Sequence, residues 1–130
     1  MKKIVFSLFV LAVTNFIFID ATNAQSDNGG QGLLRHVVVV TFKKDAATDS
    51  IKALDDIYAD LGKSTFVKDF ETGVNISGRD TNELKHIYTT TFVSKEAMKS
   101  YKALPEYQKL FKAASGVAED LNVFDYWTRK

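Results

Sequence analysis

Two histidines, His36 and His86, are the only side chains in this sequence with an ordinary pKa near neutrality. Each heads a run of β-branched and aromatic residues, His36-Val37-Val38-Val39-Val40-Thr41-Phe42 and His86-Ile87-Tyr88-Thr89-Thr90-Thr91-Phe92-Val93. Removing an acidic carbon proton near neutral pH calls for a base of that pKa, and histidine is the usual choice. Two histidines with no third ligand at metal-binding spacing do not make a metal site. Cysteine is absent, which removes thiol nucleophiles, and the chain has neither a phosphate-cradling glycine loop nor a nucleophile elbow. No cofactor and no metal is expected. Asp55, Asp56 and Asp60 read as the wet face of a helix, and Arg79-Asp80 as turn chemistry.

The elements that carry these residues follow from periodicity. Four successive valines before Thr41 and Phe42 predict a strand from Arg35 to Lys43, since β-branched side chains fit the pleat and lose rotamer freedom in a helix. Alternation puts His36, Val38, Val40 and Phe42 on one face, and Val37, Val39 and Thr41 on the other. Both faces are apolar, so both need a cover. Helices of the same chain supply one; in so short a chain, a second copy of the protein supplies the other.

Thr48 is placed as an N-cap with Asp49 in the first turn. Ile51, Leu54, Ile57, Tyr58 and Leu61 then recur at helical spacing, and Gly62 suits the left-handed position that ends a helix. A looser apolar pattern from Ser64 to Ile76 predicts a second strand, weakened or bulged at Gly73. The cluster at residues 77–82 is a turn, leading to a third strand from His86 to Val93. Ser94 caps a helix with Ala97, Met98, Tyr101 and Leu104 on its apolar face. Pro105, the only proline, ends it and opens another that carries Tyr107, Leu110, Phe111 and Ala114. Asn122 to Trp127 is the last strand. The order β-α-β-β-α-α-β describes an α+β domain with helices on one face of an antiparallel sheet.

Part of the chain lies outside that domain. Lys2-Lys3, the apolar run Ile4 to Ile19, and Asp20-Ala21-Thr22-Asn23-Ala24 have the form of a cleavable signal peptide, residues 1–24. The run is shorter than the ~20 residues a spanning helix needs. Export to a periplasm or medium is therefore expected, with no membrane association after cleavage. Residues 25–32 are a polar, Gly-rich tether, and the folded domain occupies 33–130. An exported domain without disulfides rests on its core alone, which again favours oligomerisation. Cleavage removes Lys2, Lys3 and Asp20 and leaves 15 basic and 15 acidic residues. That balance gives no electrostatic footprint for nucleic acid.

The residues also carry a resemblance. His36 to Lys43, His86-Ile87-Tyr88-Thr89-Thr90-Thr91-Phe92-Val93-Ser94-Lys95-Glu96-Ala97 and Phe124-Asp125-Tyr126 resemble the stress-responsive α/β-barrel (Dabb) family, over Leu34 to Lys130. The resemblance implies a ferredoxin-like subunit that pairs sheet to sheet into a dimeric α+β barrel. The closing Phe124-Asp125-Tyr126-Trp127-Thr128-Arg129-Lys130 is similar to the tail of the family's plant olivetolic acid cyclase, which closes a polyketide by aldol condensation. That resemblance sets Tyr101 at the position of the cyclase's catalytic tyrosine, and His36 and His86 at two histidines of its pocket. The cyclase's His-Pro-x-His segment reads Leu104-Pro105-Glu106-Tyr107 here, so its general base is replaced. Tyr107, with a reference pKa of about 10, is a poor base but a good hydrogen-bond donor.

Three functional expectations follow. The first is a pocket lined by His36, Val38, His86, Tyr88, Tyr101 and Tyr107 that binds a small, mostly apolar, partly oxygenated or phenolic ligand. The second is a cofactor-free lyase or cyclase with His36 or His86 as base and Tyr101 as oxyanion donor. The third, suggested by the family name, is a stability or stress role with no small ligand. In each, a homodimer is expected to bury Val37, Val39, Thr41, Ile87, Thr89, Thr91 and Val93 between sheets.

Overall fold

A computed structural model describes residues 32–77, 79 and 83–129. Residues 1–24, expected to be a signal peptide, and nearly all of the expected tether at 25–32 lie outside the described residues, as does Asp80. Strand β1 (Leu34–Phe42) is followed by α1 (Thr48–Gly62), β2 (Asp69–Val74), β3 (Lys85–Phe92), α2 (Lys95–Lys102), α3 (Pro105–Val117) and β4 (Ala118–Trp127). The sheet order is β2-β3-β1-β4 and every pairing is antiparallel. This is the α+β arrangement expected from the order of elements, and the ferredoxin-like subunit that the family resemblance implies.

The valine strand lies in the middle of the sheet, between β3 and β4, which is why it is apolar on both faces. Its helix-facing residues Val38, Val40 and Phe42 join Leu54, Tyr58 and Leu61 of α1, Tyr101 of α2, and Leu110, Ala114 and Val117 of α3 in one core. Val37 and Val39 face away from the helices and are half-buried. On that same face Thr41, Thr89 and Thr91 are already buried within the single chain, while Phe124, opposite Val37, and Tyr126, opposite Arg35, are exposed.

Several local expectations are corrected. Thr48 is not the N-cap; Ala47 is, and no side chain caps it. Gly62 is the last helical residue, with Lys63 beyond it in a right-handed conformation. What excludes a larger side chain at Gly62 is space, since a Cβ there would lie 2.6 Å from Cγ of Phe70. Gly73 makes no bulge, because β2 and β3 stay in register from Asp69↔Thr91 to Val74↔His86. The irregularity falls instead between β1 and β4, at Thr41/Phe42. The last strand starts at Ala118, four positions before Asn122; its early residues are polar and exposed, so no apolar alternation announces them. Ser94 does cap α2, its hydroxyl accepting from the Ala97 amide at 3.1 Å, and Pro105 does open α3.

Candidate active site and binding cleft

Cross-strand pairing sets the site. His36 stands opposite Asp125 of β4 and opposite Thr90 of β3, all three on the helix-facing side. Nδ1 of His36 lies 2.5 Å from Oδ1 of Asp125. A carboxylate only accepts, so Nδ1 carries the proton and donates, leaving the Nε2 lone pair as the ring's free acceptor. Burial lowers the pKa of His36 below 6.5; the hydrogen bond and charge of Asp125 oppose that shift, and Lys102 adds to it. The ring is therefore held neutral, in one tautomer, inside the fold. Lys102 reaches the other oxygen of Asp125, with Nζ 3.7 Å from Oδ2.

Beside this pair stands a row of aromatic rings. Tyr101 is fully buried and meets Phe92 edge-on at 5.1 Å and Tyr107 at 5.3 Å, and Tyr107 in turn meets Phe111 at 5.5 Å. The Tyr101 hydroxyl lies near Thr90 but reaches no hydrogen-bond partner in good geometry among the described residues. Burial pushes its pKa up to about 12. Burial also raises Tyr58, helped by Tyr101 and Tyr107, and raises Tyr107, helped by the charge of Asp125. All three phenols are protonated donors at neutral pH.

A cleft opens between α3 and β4, walled by Val38, Leu110, Phe111, Ala114, Leu121 and Val123, with Tyr58 and Tyr107 as its polar-tipped residues. Its volume of about 60 Å³ admits a small molecule or one end of a larger one, against the ~300–1,000 Å³ of a drug-sized pocket. Val38 and Val123 are two strand positions from His36 and Asp125, on the same face, so the His-Asp pair lies just past one end of the cleft.

His86 does not join it. His36 and His86 share a face, but the antiparallel register sets His86 opposite Val40, four strand positions from Thr90. That separation is about 14 Å at the usual rise per residue. His86 instead donates from Nδ1 to Asp55 Oδ1 at 2.8 Å, the same oxygen that accepts from the Tyr88 hydroxyl at 2.6 Å. Phe42 meets the His86 ring edge-on at 4.9 Å, and Tyr58 stacks on Tyr88 at 3.7 Å. Asp55 is thus corrected from a solvated helix position to the partner of two buried-side groups. Of the residues singled out by sequence, Val38 and Tyr107 line the cleft, His36 and Tyr101 adjoin it, and His86 and Tyr88 form a separate cluster.

Sequence reasoning missed Tyr58, Asp55 and Asp125 as site residues. Tyr58 was legible only as an apolar helix position, and the two aspartates carried no local signal beyond the family-like Phe124-Asp125-Tyr126.

The profile of the stress responsive A/B barrel domain family matches residues 34–128. The chain belongs to that family. A stress-response A/B barrel domain-containing protein of Arabidopsis thaliana is 30% identical over 98 residues, covering 74% of this chain and 90% of the relative. Among solved structures, a crystal structure of an Arabidopsis thaliana protein is 28% identical with a TM-score of 0.64, over 75% of this chain and 96% of that one. A hydroxynitrile lyase from Passiflora edulis superposes with a TM-score of 0.67 at 18% identity, over 76% of this chain and 95% of that one. A dimeric ferredoxin-like protein from Thermobifida fusca, 11% identical, gives 0.64 over 77% and 93%. At such low identities the last two establish the shared ferredoxin-like fold alone.

Proposed function

We propose that this A/B barrel protein is exported, forms a homodimer through the open sheet face, and binds a small, mostly apolar, partly oxygenated molecule in the cleft between α3 and β4. The observation that carries the binding reading is the cleft itself: apolar walls with Tyr58 and Tyr107, whose phenols are protonated, among the lining residues. Apolar walls supply affinity and a few placed donors supply orientation, which is the usual composition of a small-molecule site. Dimeric neighbours of the same fold and the exposed Phe124 and Tyr126 support the homodimer. Export rests on the signal-like residues 1–24.

Native mass spectrometry of the protein recovered from the producing cells and medium tests all three parts. The expected result is a dimer that begins at Gln25 and carries a small-molecule adduct, lost in Ala114→Phe, which fills the cleft. An adduct that persists in Ala114→Phe overturns the site. A full-length, cell-retained species overturns export.

A second reading is favoured by one further observation, the neutral and tautomerically fixed His36. A base of this kind, with phenol donors nearby, suits abstraction of a proton next to a carbonyl, as in a lyase or cyclase step. Solvent deuterium exchange into the carbon adjacent to the carbonyl of added 2-pentanone, followed by NMR, is the assay. Exchange abolished by His36→Gln but kept in His86→Ala supports His36 as the base; no exchange above the buffer rate rejects the reading.

A further inference from the structure

We infer that the cleft continues into an open groove along α3 and β4, and that the ligand is elongated, with an apolar chain lying in the groove and a positively charged head at Glu119 and Asp120. The inference rests on the binding reading above and adds the length and the head-group charge of the ligand.

Continuity of the two spaces sets the length. A second cavity, of about 270 Å³, lies between the same two elements and shares Phe111, Ala114 and Leu121 with the cleft. Its remaining walls are Ser115, Ala118, Glu119 and Asp120. Phe111 is 60% exposed and Leu121 42% exposed, with Val123 exposed two positions along the same edge strand. An uncovered apolar strip of this kind marks a surface that something apolar covers. From Val123 to Asp120 is three strand positions, about 10 Å at the usual rise per residue, which an extended chain of about eight carbons matches.

Strand register supplies the head-group site. β4 carries one extra residue where the pairing Thr41↔Asp120 gives way to Phe42↔Ala118, and that residue is Glu119. A bulge breaks strict alternation and re-aims the side chain. Here Glu119 and its neighbour Asp120 both border the groove. Asp120 accepts an N–H of Asn122 at 2.7 Å, a neutral partner that leaves its charge in place. No lysine or arginine lines either space, and Lys102 stands past the other end of the cleft, beside Asp125. The groove is thus apolar along its length and acidic at its far end. That pattern attracts an alkylammonium and repels an alkyl carboxylate.

Octylammonium, 1-octanol and octanoate share one chain and differ in head group. Each is titrated into the isotope-labelled protein, with amide shifts read at Ser115, Glu119 and Leu121 for the groove and at Tyr107 and Val123 for the cleft. The expected result is that octylammonium shifts both sets and binds about fivefold to tenfold more tightly than octanoate, the scale of exposed charge pairs. The difference should shrink as salt is added. Glu119→Gln combined with Asp120→Asn, both at exposed positions, should remove the preference and leave 1-octanol binding unchanged. Octanoate binding as tightly as octylammonium overturns the head-group assignment, and so does a preference that survives the double variant. Shifts confined to Tyr107 and Val123 overturn the groove and leave the cleft reading standing. No shift at either set overturns the cleft reading as well, for chains of this length. Groove amides that shift on dilution of the ligand-free protein assign the groove to a second copy of the chain and overturn the proposal.

Discussion

His36 and Asp125 are 89 residues apart in sequence and meet with Nδ1 2.5 Å from Oδ1, across the register that joins β1 to β4. The carboxylate is part-exposed and the imidazole is 3% exposed, so the pair runs from solvent into the core. One end can exchange protons with water; the other is dry.

The pH dependence of stability follows from this burial. The folded-state pKa of His36 is depressed, burial being the largest cause. Above the unfolded-state value of about 6.5 the ring is neutral in both states and the protein has its full stability. As the pH falls below that value the unfolded chain takes up the proton first, and stability declines until the folded-state pKa is passed. Urea unfolding between pH 8 and pH 5 should show this slope, and His36→Gln should flatten it. An equal slope in the variant would assign the effect to other groups.

Tyr101→Phe should stabilise the ligand-free protein. The hydroxyl is buried near Thr90 with no partner in good geometry among the described residues, so its removal relieves a desolvation penalty of about 1–3 kcal/mol. The ring contacts with Phe92 and Tyr107 remain. A rise in thermal midpoint of about 4 °C or more is expected for a domain of this size. A fall would mean that the hydroxyl is satisfied in solution.

Gly62→Ala should destabilise. The added Cβ would sit 2.6 Å from Cγ and 2.8 Å from Cβ of Phe70, which are the inner atoms of that side chain and cannot swing aside without moving β2. A cost of about 1–3 kcal/mol is expected, as for overpacking elsewhere. Chemical denaturation measures it, and a neutral result would show that α1 and β2 shift freely.

Val39→Lys should break the homodimer proposed for the open sheet face. Val39 lies at the middle of that face, between Ile87 and Asn122. A lysine there places an ammonium where two sheets would close. Sedimentation equilibrium should report a monomer; an unchanged dimer would move the interface elsewhere.

Much of the domain was legible in the sequence because its signals are local. Period-two alternation assigned His36, Val38, Val40 and Phe42 to one face, and helical spacing found α1, α2 and α3, with Ser94 and Pro105 marking two of the helix starts. The early part of β4 was missed because its residues are polar and exposed, and its strand character comes from pairing with β1. Gly62 was misjudged because a helix end and a close approach both favour glycine, and only the position of Phe70 separates them.

For the site, the amino-acid sequence determined which groups are available: two histidines, a set of tyrosines, no thiol and an excess of apolar strand residues. The tertiary structure decided their pairing. It joined His36 to Asp125 and His86 to Asp55, the latter 31 residues apart, and so divided two histidines of one sheet face into separate clusters. It also buried Tyr101 against Tyr107, a wall of the cleft, with its hydroxyl lacking a partner in good geometry among the described residues. Period and propensity fix which way a side chain points along its own element. Which group it meets depends on strand register and helix packing, and these are settled only when distant segments close on one another.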